Sequence, residues 1–148
     1  KALVEFHSRN KLLFMAYNQA VMRDLGRLVA NHEQRPASEV FAAYQNLLPR
    51  IFQRIPRRGS MVNVLLHAFG YFSKQLEGRE RAHFLELLES YQSGRIPLSA
   101  CQTVLQSWIE RFDQEYLRSQ SFFKPYPPDL IDITDSGKGV GSQWTTNA

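Results

Sequence analysis

The sequence has one cysteine, Cys101, among its 148 residues. A single thiol cannot form a disulfide within the chain, and it cannot supply the several thiolates of a cysteine-ligated zinc or iron–sulfur site. A reducing compartment suits this composition, so we predict a cytoplasmic protein without a cofactor of its own.

Long apolar runs are also missing, because no stretch approaches the ~20 residues that a membrane-spanning helix needs. The four histidines form no HxxxH or HExxH pair, and the chain has no GxSxG element, phosphate-cradling glycine loop or dinucleotide fingerprint. These absences remove the local signatures of metalloproteases, serine hydrolases and nucleotide-binding enzymes. We therefore expect no membrane partner, no metal site and no catalytic activity of the chain on its own.

What the sequence does contain is the composition of one globular domain. Hydrophobic residues make up 43% and aromatic residues 12% of the chain. A length of 148 residues matches a single domain, and this apolar content suffices for a packed core.

Positive charge is concentrated in the first half of the chain. The net charge is +4, but residues 1–74 hold eleven Lys and Arg against four Asp and Glu, whereas residues 75–148 hold seven against ten. Thirteen of the eighteen cations are arginine, whose planar guanidinium matches phosphate oxygens and stacks on bases. This distribution favours an acidic partner for the first half, with nucleic acid ahead of a membrane surface.

Apolar residues recur at helical spacing through nearly everything before residue 124, and no segment shows the clean alternation of a β-strand. We predict an all-α fold, a single-domain irregular bundle of about six to seven helices. The helical domain would span residues 1–128, and a flexible tail would follow over residues 129–148. The predicted helices cover residues 3–16, 19–32, 37–55, 61–75, 79–93, 98–111 and a short segment from 113 to 119.

Several residues mark where these helices begin, break and end. Asn18 and Ser60 are predicted N-caps, and Asp113 is expected to cap the last short helix. Pro49 should kink or split the third helix, because proline lacks the N–H that a helix interior needs. Gly94 is a suitable C-terminal stop for the fifth.

Basic and hydrogen-bonding side chains recur on the predicted helix faces, where residues three and four apart lie together. Such a surface suits a polyanion better than bond-breaking chemistry, because it offers donors for phosphates and aromatic rings for bases. The candidate nucleic-acid-binding residues are His7, Arg9, Lys11, Arg23, Arg27, Arg57, Arg58, Asn63, His67, Tyr71, Lys74, Lys124 and Tyr126. The last two lie in a segment that should strap the C-terminus across the helical body.

The two histidines His7 and His67 leave other interpretations open. A histidine on a largely apolar helix is commonly a buried, hydrogen-bonded core residue. Alternatively, the chain is an enzyme in which both imidazoles line a cleft between the first and fourth helices. They would then act in acid–base catalysis beside a carboxylate such as Glu5 or Asp24.

Five short segments, in colinear order over about residues 3–127, carry a family resemblance. The segments are FHSRNKLLFMAY, LGRLVANH, VNVLLHAFGYF, SGRIPL and FFKPYP. With them the chain resembles the YbgA-like family. The resemblance implies an all-helical domain that occurs alone or fused to a thiouracil-desulfidase-type domain with an iron–sulfur cluster.

In such fusions the helical part looks like a tRNA-binding module, while the cysteine-bearing part removes sulfur from 4-thiouridine. The resemblance therefore implies tRNA or another structured RNA as a partner, together with a desulfidase-type iron–sulfur protein. The present chain lacks the cluster cysteines, so the desulfidase chemistry itself is not assigned to it. A protein-interaction scaffold for a sulfur-handling or repair enzyme is the remaining alternative, and it predicts a large exposed apolar patch. The positions that match the family are His7, Lys11, Gly26, Arg27, Asn63, His67, Gly70, Tyr71, Pro125 and Tyr126.

Overall fold

The computed structural model describes residues 1–124, and every regular element within them is helical. The all-α prediction is therefore confirmed, with six α-helices and one 3₁₀ helix in this part of the chain. None of these helices is long and apolar enough to cross a membrane. The tail predicted over 129–148 lies outside the described residues. The elements are α1 (Ala2–Ala30), α2 (Ala37–Leu47), a 3₁₀ helix (Leu48–Gln53), α3 (Arg58–Gly70), α4 (Gly78–Gln92), α5 (Leu98–Arg111) and α6 (Glu115–Arg118).

Helix α1 consists of two helical halves that meet at Asn18, whose backbone is extended (φ −157°, ψ 97°). The Asn18 Oδ1 accepts a hydrogen bond of 3.1 Å from the Val21 N–H, so Asn18 caps the second half as predicted. The halves fold back on each other, because a Cβ added at Gly26 would lie 3.5 Å from the His7 Nε2. A continuous helix would separate these two positions by about 28 Å. The two helices predicted over this region are thus confirmed, and they form a helical hairpin.

The predicted break at Pro49 is also confirmed. Helix α2 stops at Leu47, and the chain continues as a 3₁₀ helix with Pro49 in its first turn. The missing proline N–H prevents the α-helical hydrogen bond at this point, so the helix predicted over 37–55 is split in two.

The prediction that Ser60 caps the next helix is wrong. Helix α3 begins at Arg58, and Arg57 has the extended conformation of an N-cap residue, so Ser60 lies inside the first turn. With this earlier start, the Arg58 side chain lies against Gly94 at the end of α4. Helix α3 also ends at Gly70 instead of residue 75, since the chain turns there before α4.

The prediction that Asp113 caps the last helix is wrong as well. Asp113 takes a left-handed backbone conformation with φ 50°, and α6 begins after Gln114. The Asp113 carboxylate instead pairs with the Arg118 guanidinium at 2.8 Å. Gly94, in contrast, ends α4 as predicted, with φ 80°, a conformation that glycine adopts without strain.

One hydrophobic core includes residues of all six helices. Phe14, Tyr44, Phe72 and Phe84 are among its largest fully buried side chains. Complete burial of such a side chain contributes roughly 1.5–3 kcal/mol, so these rings dominate the stability of the fold. Cys101 is buried in the same core, and burial raises the pKa of its thiol, which makes it unreactive.

Residues 120–124, here called the C-terminal strap, close the bundle onto α1. The buried Gln120 side chain accepts from the Leu12 N–H at 3.2 Å and donates to the Ser8 carbonyl at 2.8 Å. The Ser121 N–H donates to the Arg9 carbonyl at 2.9 Å. The predicted strap is therefore confirmed for its described part, and it holds the first half of α1 in place.

Candidate nucleic-acid interface

A groove opens between the two halves of α1 and the end of α3. Its volume is about 520 Å³, and its polar lining residues are His7, Lys11, Gln19, Arg23, Arg27, His32 and His67. The other lining residues are Met15, Met22, Gly26 and Ala30, so no Asp or Glu belongs to the wall that residues 1–124 build. We call this cavity the α1 groove.

The helical hairpin of α1 places basic side chains on facing walls of the groove. His7 and Lys11 are one turn apart on the first half, and Arg23 and Arg27 are one turn apart on the second. Gly26 on the second half faces the imidazole of His7, where an added Cβ would make an ordinary contact of 3.5 Å with the His7 Nε2. The turn at Asn18 thus brings together side chains that lie far apart in the sequence.

His7 is buried in the wall of the α1 groove, with only 8% of its surface exposed. Its Nδ1 shares a hydrogen bond of 3.0 Å with the Tyr44 hydroxyl, while its Nε2 is the ring atom nearest to Gly26. Burial lowers the pKa of His7, and the Lys11 ammonium lowers it further. Burial also raises the pKa of Tyr44 to about 12, so the His7–Tyr44 pair is neutral at physiological pH.

The cations of the groove differ in their ion pairing. The Arg27 Nη1 lies 2.9 Å from the Asp24 Oδ1, and both side chains are more than half exposed, so solvent screens this pair. Lys11 and Arg23 make no ion pair with any residue between 1 and 124. Their charges are available to an external anion, whereas Arg27 shares its charge with Asp24.

A second cavity of about 340 Å³ continues the α1 groove beyond the end of α1. Arg27 and His32 line both cavities, so the two adjoin at these residues. The second cavity also contains Arg35, which pairs with Glu33 at 2.6 Å. The two cavities are therefore most strongly basic at the α1 groove, where no acidic side chain contributes to the described wall.

A row of aromatic rings leads away from the α1 groove. The His67 ring lines the groove and lies 6.1 Å from the Tyr71 ring at an angle of 71°. Tyr71 in turn stacks on Tyr116 at 5.6 Å with an angle of 23°. We call these three residues the aromatic row. Because Tyr116 belongs to α6, the second half of the chain also contributes to this surface.

The basic turn before α3, which is prominent in the sequence, does not line the α1 groove. Nine residues of regular helix separate Arg58 from His67, which directs the two side chains to opposite faces. Arg57 is the N-cap residue at the same end of α3. Asn63, in contrast, is exposed one turn before His67 on the same helix face.

Three other predicted cations also lie outside the lining of the α1 groove. Arg9 lines neighbouring cavities with Ser119 and Ser121, and Lys74 is exposed in the turn after α3. Lys124 lines a separate cavity with Glu110. Tyr126 lies outside the described residues. The structure thus groups five of the predicted residues in the groove, His7, Lys11, Arg23, Arg27 and His67.

His32 lines the groove and Tyr116 belongs to the aromatic row, although neither is among the candidate nucleic-acid-binding residues predicted from the sequence. His32 follows the left-handed Asn31 that ends α1, so helical spacing does not connect it with Arg27. Tyr116 lies more than forty residues from Tyr71, and only the packing of α6 brings the two rings together.

Among residues 1–124, the imidazoles of the groove form neither a metal site nor a carboxylate–imidazole pair. Within residues 1–124, no three His, Cys, Asp or Glu side chains come close enough to hold one metal ion. Of the two candidate carboxylates, Glu5 lines other cavities with Arg9, and Asp24 pairs with Arg27. The groove therefore offers cationic and neutral donors to a ligand.

Comparison with known proteins gives two matches. A family model described as "Protein of unknown function (DUF1722)" matches residues 11–127. The "Uncharacterized protein YbgA" of Escherichia coli (strain K12) is 29% identical over 137 residues, which cover 92% of this chain and 80% of that protein. No solved structure matches the chain. The matched range of the family model includes Lys11, Arg23, Arg27 and His67, whereas His7 precedes it.

Proposed function

The chain belongs to the DUF1722 family, as its YbgA-like segments predict, and from this premise we propose that it binds structured RNA, specifically tRNA. In this proposal it is an accessory module of thionucleoside metabolism that works beside a desulfidase-type iron–sulfur protein. The α1 groove is its RNA-binding surface. The link to thionucleosides rests on the family resemblance, and the choice of surface rests on the geometry.

The observation that carries the proposal is the convergence of Lys11, Arg23 and Arg27 on one groove without a carboxylate in its described lining. Lys11 and Arg23 have no acidic partner among residues 1–124, and Arg27 has only the solvent-screened pair with Asp24. Such a cluster of cations raises the local concentration of anions and speeds their association. Two of the three cations are arginines, which bind phosphate oxygens through a planar pair of donors. This chemistry favours a phosphate-rich ligand.

The shape of the surface favours a chain of phosphates over a single anion. Arg23 and Arg27 lie about one helical rise of 5.4 Å apart on the same face, so each can contact a different phosphate. The second cavity adjoins the groove at Arg27. An extended polyanion can therefore gain several contacts, each of which releases counterions when it forms.

The enzyme alternative receives less support from the same groove. Both His7 and His67 line it, as that alternative requires, but no carboxylate accompanies them in the described wall. His7 also has its Nδ1 occupied by the Tyr44 hydroxyl. The buried His7 imidazole is therefore a structural part of the groove wall. Within residues 1–124 it lacks the carboxylate partner that a catalytic acid–base pair would need.

An exposed apolar patch on the N-terminal half supports the partner-protein part of the proposal. Phe6 and Phe52 are 45% and 49% exposed, and both rings lie 6.2 Å from the buried Phe14 ring. Phe41 and Ile55, in the same half of the chain, are 50% and 90% exposed. The Phe6 and Phe52 rings beside Phe14 form an apolar surface that suits a protein contact, so the scaffold function is the second candidate.

The test of RNA binding is a titration with bulk tRNA at about 50 mM and about 200 mM salt, read by electrophoretic mobility. We expect affinity to fall steeply with salt. Three double variants, each removing two positive charges, then locate the surface. They are Lys11→Ala/Arg23→Ala in the groove, Arg57→Ala/Arg58→Ala at the start of α3, and Arg79→Ala/Arg95→Ala on the acidic half.

The groove variant should bind tRNA about tenfold more weakly or worse. The slope of log affinity against log salt should also become less steep by about 1.5, because two phosphate contacts disappear. The other two variants should lose much less, since their net charge is the same but their arginines lie elsewhere. Thermal melting of all three proteins controls for unfolding. Equal losses in the three variants would contradict the groove as the binding surface, and no binding of tRNA by the parent protein would end the proposal.

A further inference from the structure

We propose that the site recognises an unpaired RNA nucleotide, with its phosphate in the α1 groove and its base against the aromatic row. This inference rests on the proposed RNA binding and specifies the element of RNA that is bound. It assigns a role in recognition to Tyr71 and Tyr116, which lie beyond the groove. It also predicts that duplex RNA of equal charge binds less tightly.

The aromatic row begins at the wall of the groove that carries the cations. His67 belongs both to the wall that carries Lys11 and Arg23 and to the row that continues through Tyr71. A ligand that places a phosphate in the groove therefore has an aromatic ring within reach on one side. In a nucleotide, phosphate and base are linked through the sugar in this order, which matches the order of groove and row.

The His67 ring has aromatic support behind it. Tyr71 packs beside His67 with the two ring planes inclined at 71°, and Tyr116 stacks on Tyr71 at 23°. Tyr71 is nevertheless 40% exposed. A supported but accessible ring of this kind offers an apolar face, and every base has a face that can stack on it.

The size of the site also suits a single nucleotide. A volume of about 520 Å³ lies in the range of pockets that hold one small ligand. Bases inside a duplex are already stacked on their neighbours. Sequence-specific and base-stacking contacts in RNA are accordingly made with loops, bulges and ends, where a base can turn outward.

The experiment compares a single-stranded oligouridine with a hairpin-free RNA duplex of the same number of phosphates, each titrated against the full chain by fluorescence anisotropy. The single strand should bind at least about tenfold more tightly, since one base–aromatic stack contributes on this scale. Tyr71→Ala and His67→Ala should remove most of that preference. Tyr71→Phe should keep it, because the ring is retained without the hydroxyl.

Phe41→Ala is the matched control, because it removes an aromatic ring of similar exposure from α2. This variant should bind the single strand and the duplex with the same affinities as the parent protein. The salt dependence of single-strand binding is the second readout. It should be the same in Tyr71→Ala as in the parent protein, since the phosphate contacts are intact, whereas Lys11→Ala/Arg23→Ala should lower it.

Two results would overturn the inference while leaving RNA binding in place. One is equal affinity for the single strand and the duplex, and the other is a loss in Tyr71→Ala that is the same for both RNAs. Failure of both RNAs and of tRNA to bind the parent protein would instead reject the proposed function itself. Melting curves of Tyr71→Ala and Tyr71→Phe separate loss of stacking from loss of fold.

Discussion

Arg23 in α1 and Arg118 in α6 carry the same guanidinium group in opposite surroundings. Arg118 contacts three carboxylates, those of Glu110, Asp113 and Glu115, and these contacts raise its pKa. Arg23 has no carboxylate partner among residues 1–124 and faces the α1 groove. Arg118 therefore stabilises its own region of the fold, whereas Arg23 is available to a ligand.

The same contrast extends to the neighbours of these residues. In the second half, Arg79 pairs with Glu77, and Arg111 pairs with Glu80 while its guanidinium lies 4.7 Å from the Phe112 ring centroid. In the groove, Lys11 joins Arg23 without a paired acid. Counts of charge along a sequence therefore say less about binding than the pairing of each charge. The predictions below test this contrast, from the largest expected effect to the smallest.

Charge reversal should separate the two regions most clearly. Arg23→Glu places a carboxylate in the groove and should lower tRNA affinity about 100-fold at low salt, since a cation is lost and a like charge faces the phosphates. Arg79→Glu makes the same change of charge on α4 and should lower affinity only a few-fold. Anisotropy titrations of both variants measure the difference. A similar loss for both would mean that net charge alone governs binding.

Two glycines give the second contrast, in stability instead of binding. Gly94→Ala should destabilise the fold by about 1–2 kcal/mol, because alanine is strained at positive φ and the new Cβ would meet the Arg58 guanidinium at 2.7 Å. Gly26→Ala should stabilise it by about 0.5–1 kcal/mol, because the site is helical and the nearest atom is at an ordinary contact distance. Denaturant unfolding measures both changes. Destabilisation by Gly26→Ala would show that the hairpin tolerates no Cβ there.

A larger side chain at Gly26 should affect binding without changing any charge. Gly26→Leu extends into the α1 groove, towards His7, and should lower tRNA affinity about tenfold by occupying the site of one phosphate contact. Gly59→Leu is the control, because a Cβ there meets no atom within 4 Å. Unchanged affinity in Gly26→Leu with an intact melting transition would place the ligand elsewhere.

The smallest predicted effect concerns pH and distinguishes His7 from the exposed cations. Burial lowers the pKa of His7, so the folded state binds fewer protons here than the unfolded state. This contribution to stability is complete above the unfolded pKa of about 6.5 and is lost as pH falls through that value towards the lower folded pKa. Melting temperatures of the parent protein and of His7→Gln, measured between about pH 7.5 and about pH 5, should therefore converge at low pH. Parallel curves would contradict a neutral, buried His7.

Local chemistry made much of the fold predictable. The Asn18 side chain can accept a hydrogen bond from a backbone N–H at the start of a helix, as few side chains can, and Pro49 has no backbone N–H to donate. The breaks in the helices at these two residues are therefore visible in the sequence. Ser60 has the chemistry of a cap as well, but α3 begins two residues earlier, at Arg58, and its N-cap residue Arg57 makes no side-chain cap hydrogen bond. Side-chain chemistry thus located the interruptions at Asn18 and Pro49, and it did not locate a helix start that uses no capping side chain.

The candidate site was predictable only in its composition. Helical spacing paired His7 with Lys11 and Arg23 with Arg27, but it contained no information that the two halves of α1 fold face to face. The sequence also made Arg58 and Arg23 equal candidates for binding, although the two side chains lie on different surfaces. Which charges converge depends on the direction of the hairpin, and that direction is set by tertiary packing.

The C-terminal strap sets an order of events during synthesis. Gln120 hydrogen-bonds to Ser8 across 112 positions of the chain. At about 5–20 residues per second, a ribosome adds this glutamine roughly 6–22 s after the serine. We therefore expect the first half of α1 to be held in place only after residue 120 has been synthesised, so that a nascent chain shorter than this would lack one fixed wall of the α1 groove.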